Sequence, residues 1–173
     1  IAVLTGSLVI LHKNALDDFA SEVKSVQFSA VPLASDEEFV VINSFGTVKN
    51  TIVGSITKLF EKGIIKILVG TKSLLGEGWD APAINTLILA SYVGSFVSSN
   101  QMRGRAIRID SNAPDKTGNI WHLACLDPTA ADGGKDLEKL HKRFEAFSGV
   151  SLSKTSYIEN GLERLQIPTY FDA

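Results

Sequence analysis

The sequence predicts an α/β fold in which a mostly parallel sheet is covered by helices on both faces. Runs rich in Val, Ile and Leu at Ala2–Leu11, Phe39–Asn43, Ile64–Val69, Asn85–Ser91 and Asn119–Cys125 mostly lack the polar alternation of a half-exposed strand, which is the pattern of strands buried on both sides. Between them lie segments whose apolar residues return every three or four positions. Strands alternating with such helices imply βαβ units with right-handed crossovers.

Taken in order, Ala2–Leu11 supplies the first strand. Leu16, Phe19, Ala20 and Val23 repeat at i, i+3, i+4 and i+7, with Asn14 placed to cap that helix. After Phe39–Asn43, the residues Val48, Ile52, Ile56, Leu59 and Phe60 form a second stripe, closed by Gly63, which can take the left-handed conformation that ends a helix. Ile64–Val69 and Asn85–Ser91 follow as strands. If Ser95–Arg108 is helical, Gln101, Arg105 and Arg108 share one face, while Met102, Ala106 and Ile109 share another that can be buried. In the last strand, Trp121 and His122 read as core and edge positions, and Cys125 as a small buried hydrophobe. Asp132 can cap a third helix, striped by Leu137, Leu140, Phe144 and Phe147 and followed by Gly149. Because composition shifts after Pro128, residues 1–128 are expected to form the α/β domain and residues 129–173 a helical extension packed on it, with Tyr157, Leu162, Leu165 and Ile167 in its tail.

The chain has 173 residues, 45% of them hydrophobic and 21% charged. A chain of that length buries about 70% of its unfolded surface and sustains a core without staples. Its single cysteine forms no internal disulfide and, with three scattered histidines, gives no metal-ligand spacing, so a reducing, cytoplasmic setting is expected. No apolar run reaches the length of a membrane span. A start at Ile1 reads as a fragment or processed product. The formal net charge of −2 gives no global attraction to nucleic acid, so any such binding must come from a local cluster.

Several motifs are missing. Gly70-Thr71-Lys72-Ser73 and Gly134-Lys135-Asp136 lack parts of the phosphate-cradling G-x-x-x-x-G-K-[ST] loop. Gly76-Glu77-Gly78-Trp79-Asp80-Ala81 matches the dinucleotide-binding letters, but it begins past the strand end, Pro82 interrupts the helix, and no acid stands about 20 residues on. No nucleophile elbow or H-E-x-x-H helix is present.

Two linked stretches remain. Ile67 to Pro82 is a buried strand leading into a glycine-punctuated loop, the place where ligands bind in such sheets. Gly70 allows close approach, Thr71 and Ser73 offer hydroxyls, and Gly78 permits a turn that presents Asp80. An ordinary βα turn is the alternative. In Ser95–Arg108, Gly104 inside a helix costs about 1 kcal/mol against alanine, and like charges three apart cost more. Those choices make sense if an anion joins Arg105 and Arg108, since guanidinium forks grip phosphate with paired hydrogen bonds. The alternative is a solvated basic face. Trp79 has two readings, stacking on a base or burial beside Pro82.

Gly70-Thr71 through Asp80-Ala81-Pro82, then an apolar strand, then Gln101-x-x-Gly104-Arg105-x-x-Arg108, resembles motifs V and VI of the C-terminal RecA-like lobe of superfamily 2 DNA helicases. In texture it is similar to the group of type III restriction subunits and excision-repair helicases. The resemblance is specific over Ile64–Asp110, with Ile107 standing where a second glycine is common. It implies a RecA-like three-layer sandwich. It assigns Gly70, Thr71 and Ser73 to the nucleic-acid backbone, and Glu77, Gly78 and Asp80 to the nucleotide, with Asp80 near the ribose. Gln101, Arg105 and Arg108 become the catalytic set, Arg108 as arginine finger. It further implies ATP and Mg²⁺ held mainly by an N-terminal RecA-like lobe of the same protein, DNA as partner, and no activity from this chain alone. That expectation requires both guanidiniums to face the mouth of the sheet and not to be locked into carboxylates of their own fold. The rival reading is a non-catalytic module that docks an acidic or phosphorylated partner through Arg105 and Arg108. A third is a small-molecule enzyme with a Rossmann-like site at Gly76–Ala81.

Overall fold

A computed structural model describes residues 1–24, 26–44, 49–75, 79–90, 96–151 and 157–161. The chain divides into two compact units, residues 1–85 with 101–118, and residues 86–100 with 119–173.

In the first unit the opening apolar run is not one strand. It folds into a hairpin, β1 (Ala2–Leu4) and β2 (Val9–His12), because Thr5-Gly6-Ser7 makes a turn in which the Leu8 N–H donates to Thr5 Oγ1 at 2.9 Å. A single 3₁₀ turn follows. That turn is capped by the His12 ring, which accepts from the Asn14 N–H at 3.2 Å, and Asn14 lies inside it; the N-cap of the next helix is Ala15, which makes no side-chain cap bond, so the expected Asn14 cap is not formed. Helix α1 (Leu16–Glu22) then leads to a second hairpin, β3 (Phe28–Leu33) and β4 (Asp36–Ser44). β3 is not among the strands expected from the sequence. Pro32 is tolerated because β3 lies at the sheet edge, next to a bulge. Helix α2 (Lys49–Glu61) stops at Gly63, which has φ +73 as its role required. Val48 lies outside the described residues. Strand β5 (Leu68–Gly70) completes a sheet of order β3-β4-β2-β1-β5, and the single turn α3 (Lys72–Leu75) follows.

In this sheet only β1 and β5 pair in parallel, and the other three pairings are antiparallel. Short turns after β1 and β3 enforce two of these, because a parallel return needs a crossover of a dozen residues or more. Two antiparallel steps leave β4 running with β1 and β5. Leu4, Ser44 and Gly70 therefore end their strands at one common edge.

One face of the sheet carries the core. Ala2, Leu4, Leu11, Val40 and Ile42 meet Phe19 and Val23 of the α1 region and Ile52, Ile56 and Leu59 of α2. Glu22 fastens the two helices together, accepting a hydrogen bond from Lys62 with Lys58 at 3.7 Å. That bond, with the lysine charges, holds the Glu22 carboxyl below its ordinary range, against a smaller opposing effect of burial.

The second unit has β6 (Thr86–Leu89) and β7 (Asn119–His122) in parallel, opposing Ile88 to Trp121. Helix α4 (Phe96–Ala106) begins in this unit and ends in the first. Helix α5 (Lys135–Phe144) and an antiparallel pair, β8 (Ser148–Val150) and β9 (Ile158–Asn160), follow. Gly134, at φ +89, takes the N-cap position expected of Asp132, whose carboxylate accepts from the Gly134 N–H. Phe147 lies beyond the end of α5 but stays on Phe144, and Gly149 belongs to β8. His122 packs edge-on against Phe144 and hydrogen-bonds Arg143 at 2.7 Å, whereas Trp121 and Cys125 are exposed and not buried. Leu162, Leu165 and Ile167 lie outside the described residues. No helix among the described residues is long and apolar enough to cross a membrane.

Candidate functional site

All the described candidate residues fall in the first unit. At the common strand edge, the Thr71 N–H donates to the Leu4 carbonyl at 3.2 Å, extending the parallel pairing of β1 and β5 by one residue. The Thr71 carbonyl accepts from Leu74 and Leu75 at 3.0 Å each, which starts α3. Thr71 Oγ1 and Ser73 Oγ lie 3.2 Å apart, both residues exposed. Gly70 has a packing reason that the sequence did not reveal. A Cβ there would run into the Leu75 side chain and sit 3.1 Å from the Leu4 carbonyl. Lys72, exposed between the two hydroxyl residues, adds positive charge that motif reading passed over.

Glu77 and Gly78 lie outside the described residues. Beyond them, Trp79 is half-buried, and its indole N–H donates to Thr57 Oγ1 on α2 at 2.8 Å. Ala81 is buried. The turn after it is pinned by Lys116, whose ammonium donates to the carbonyls of Pro82 at 2.6 Å and Ile84 at 2.9 Å. On this segment the two arginines converge.

Arg105, only 7% exposed, donates from Nη1 to the Trp79 carbonyl. Burial lowers its pKa first and the Arg108 charge next, with Asp80 partly offsetting them. Its Nε is buried and has no hydrogen-bond partner. Arg108 pairs with Asp80. Helix α4 ends at Ala106, so Arg108 sits in the turn beyond it and not on a helical face with Gln101 and Arg105. The same early end leaves Ile109 89% exposed, against the expectation that it can be buried with Met102 and Ala106, which are buried. Gln101 is exposed on α4.

The Arg108–Asp80 pair bears on the requirement that the guanidiniums stay clear of their own carboxylates. The side chains are 46% and 61% exposed. An ion pair so solvated contributes about 0.2–1 kcal/mol, whereas a guanidinium fork on phosphate in a closed site is far stronger. Arg108 thus meets a carboxylate of its own fold, against that requirement, through a weak and solvent-exposed pair.

Gly104 has nothing within 4 Å of where its Cβ would lie. Gly104→Ala is expected to stabilise the protein by up to about 1 kcal/mol through helix propensity. If the missing side chain is there for a phosphate, the more stable variant will hydrolyse ATP more slowly in the full-length protein. Calorimetry with an ATPase assay checks both halves, and a stabilised variant of undiminished rate would refute the second.

The structure thus joins Arg108 to Asp80 and Arg105 to the neighbouring Trp79 carbonyl, and gathers Gly70, Thr71 and Ser73 at the strand edge. Motif reading missed three supporting residues, Thr57, Lys116 and Gly118. The last would place a Cβ 2.7 Å from the Ala106 carbonyl, so glycine is needed where the returning chain crosses the end of α4. Its only advance signal was a glycine between two polar residues and a strand.

The sheet with helices packed on it makes this unit an α/β domain. Residues 13–110 match the helicase conserved C-terminal domain. The match spans more than half the chain, which belongs to this family as the C-terminal lobe of a superfamily 2 helicase. No curated protein and no solved structure matches it. Family membership does not favour a non-catalytic docking module.

Proposed function

We propose that the chain is the second motor lobe of an ATP-dependent DNA helicase or translocase, of the group similar to type III restriction subunits and excision-repair helicases, acting in the cytoplasm. The supporting observation is the convergence of Arg105 and Arg108 on the Trp79–Asp80 segment within one compact unit. A guanidinium resting on an exposed carboxylate gains from phosphate oxygens. These residues fit a triphosphate. The described residues hold no group of three or more His, Cys, Asp or Glu able to take a metal ion. The metal and the P-loop contacts are assigned to the N-terminal RecA-like lobe of the same full-length protein.

Bound ATP supplies the phosphoryl group. Arg108 leaves Asp80 for the γ-phosphate, acting as the arginine finger, while Arg105 keeps Trp79 in place and turns its spare donors to the same oxygens. Gln101 orients the site. Asp80, once released, accepts from the ribose hydroxyl beside Glu77 and Gly78. Gly70, Thr71 and Ser73 hold the DNA backbone, and opening and closing of the cleft changes their grip, so hydrolysis becomes movement.

Steady-state ATPase of the isolated chain, with and without DNA, tests this. Turnover is expected at background level in both, against DNA-stimulated turnover by the full-length protein. Robust hydrolysis by the chain alone would overturn the assignment of the P-loop to another lobe.

A further inference from the structure

We infer that Thr57 is a positioning residue for the arginine pair, acting through Trp79; the inference deepens the motor reading above and rests on it. Thr57 lies inside α2 and is 8% exposed. Its hydroxyl donates to the Val53 carbonyl four residues earlier, at 2.8 Å, the back-bond open to threonine within a helix. That bond fixes the hydroxyl rotor and leaves lone pairs on Oγ1 to accept. The Trp79 indole N–H uses one of them at 2.8 Å. An indole has this single donor and no acceptor, so the bond selects the orientation of the ring. The carbonyl of the same tryptophan then accepts from Arg105, and the next residue, Asp80, pairs with Arg108. One path of hydrogen bonds and backbone therefore runs from the interior of α2 to both guanidiniums, all within the first unit.

Packing holds the body of the half-buried indole, and the bond to Thr57 fixes which edge of the ring faces α2. The bond to Thr57 tethers Trp79 to α2, so its loss frees the segment whose carbonyl anchors Arg105. Small displacements of a charge aimed at a transition state are expensive in rate and nearly silent in ground-state affinity.

The experiment compares Thr57→Val, Thr57→Ser and Arg108→Ala in the full-length protein. Thr57→Val keeps the branched shape and removes the acceptor. It is expected to lower the kcat of DNA-stimulated ATPase by about tenfold, or about 1.4 kcal/mol, with KM for ATP and Kd for DNA nearly unchanged. Thr57→Ser restores the hydroxyl and should recover kcat. In an Arg105→Ala background, Thr57→Val should cost little more, since its route to the site is already cut. A merely structural threonine would instead lower Tm, leave kcat of the folded protein intact and add independently to Arg105→Ala. Undiminished kcat in Thr57→Val, with Arg108→Ala impaired, overturns this inference and leaves the motor reading standing. If Arg108→Ala is also undiminished, the motor reading falls and takes the inference with it. Equal losses in the Ser and Val variants overturn the role of the hydroxyl.

Discussion

Replacing Arg108 by alanine in the complete protein is expected to lower kcat for ATP hydrolysis by about 10³-fold or more, the scale of a lost arginine finger. KM for ATP should change only modestly, because the interaction is strongest in the transition state. A loss of that size corresponds to about 4 kcal/mol. Destabilisation cannot account for it, since the contact removed is a solvated pair with Asp80 contributing about 1 kcal/mol at most. Arg108→Lys retains the charge but loses the planar fork, so it should recover only part of the rate. Pre-steady-state and steady-state kinetics, with a thermal melt of each variant, separate these effects. An alanine variant with wild-type kcat removes Arg108 from the mechanism.

Phe19→Ala is expected to cost about 3–5 kcal/mol of stability. Phe19 is fully buried, and its ring meets Phe28 edge-on, with centroids 5.2 Å apart and planes at 74°. It stands where α1 presses on the sheet, among Leu4, Leu11, Val40 and Ile42. Against a total domain stability of about 5–15 kcal/mol, such a loss leaves the first unit marginal. Urea unfolding followed by circular dichroism measures it; a cost below about 1 kcal/mol would mean that the core is not organised around this ring. The change reaches the site indirectly, because the strands that carry Leu4 and Thr71 rest on that core.

Much of this was legible in the residues. The stripes of α1 and α2 are long enough for the helical period to stand out, and Gly63 marks an end that backbone sterics alone dictate. The hairpins were not legible. Thr5-Gly6-Ser7 is short and lies inside an apolar run, so it reads as an interruption of one strand when it is the turn between two. Pro32 argues against a strand unless the strand is known to be at an edge, and edges are decided by pairing partners far along the chain. At the site, the spacing of Arg105 and Arg108 identified the pair but assumed a helix that continues past Ala106. The roles of Thr57 and Lys116 depend on contacts 22 to 34 residues away in sequence, which no local pattern encodes.

Between Arg108 and the Lys116 clamp, residues 111–115 are all exposed. Both ends of that stretch are anchored, by the Asp80 pair on one side and by the Pro82 and Ile84 carbonyls on the other. Added length there bulges into solvent and leaves either anchor undisturbed. A fluorophore grafted into this stretch would therefore ride beside the arginines and report movement there without breaking either anchor.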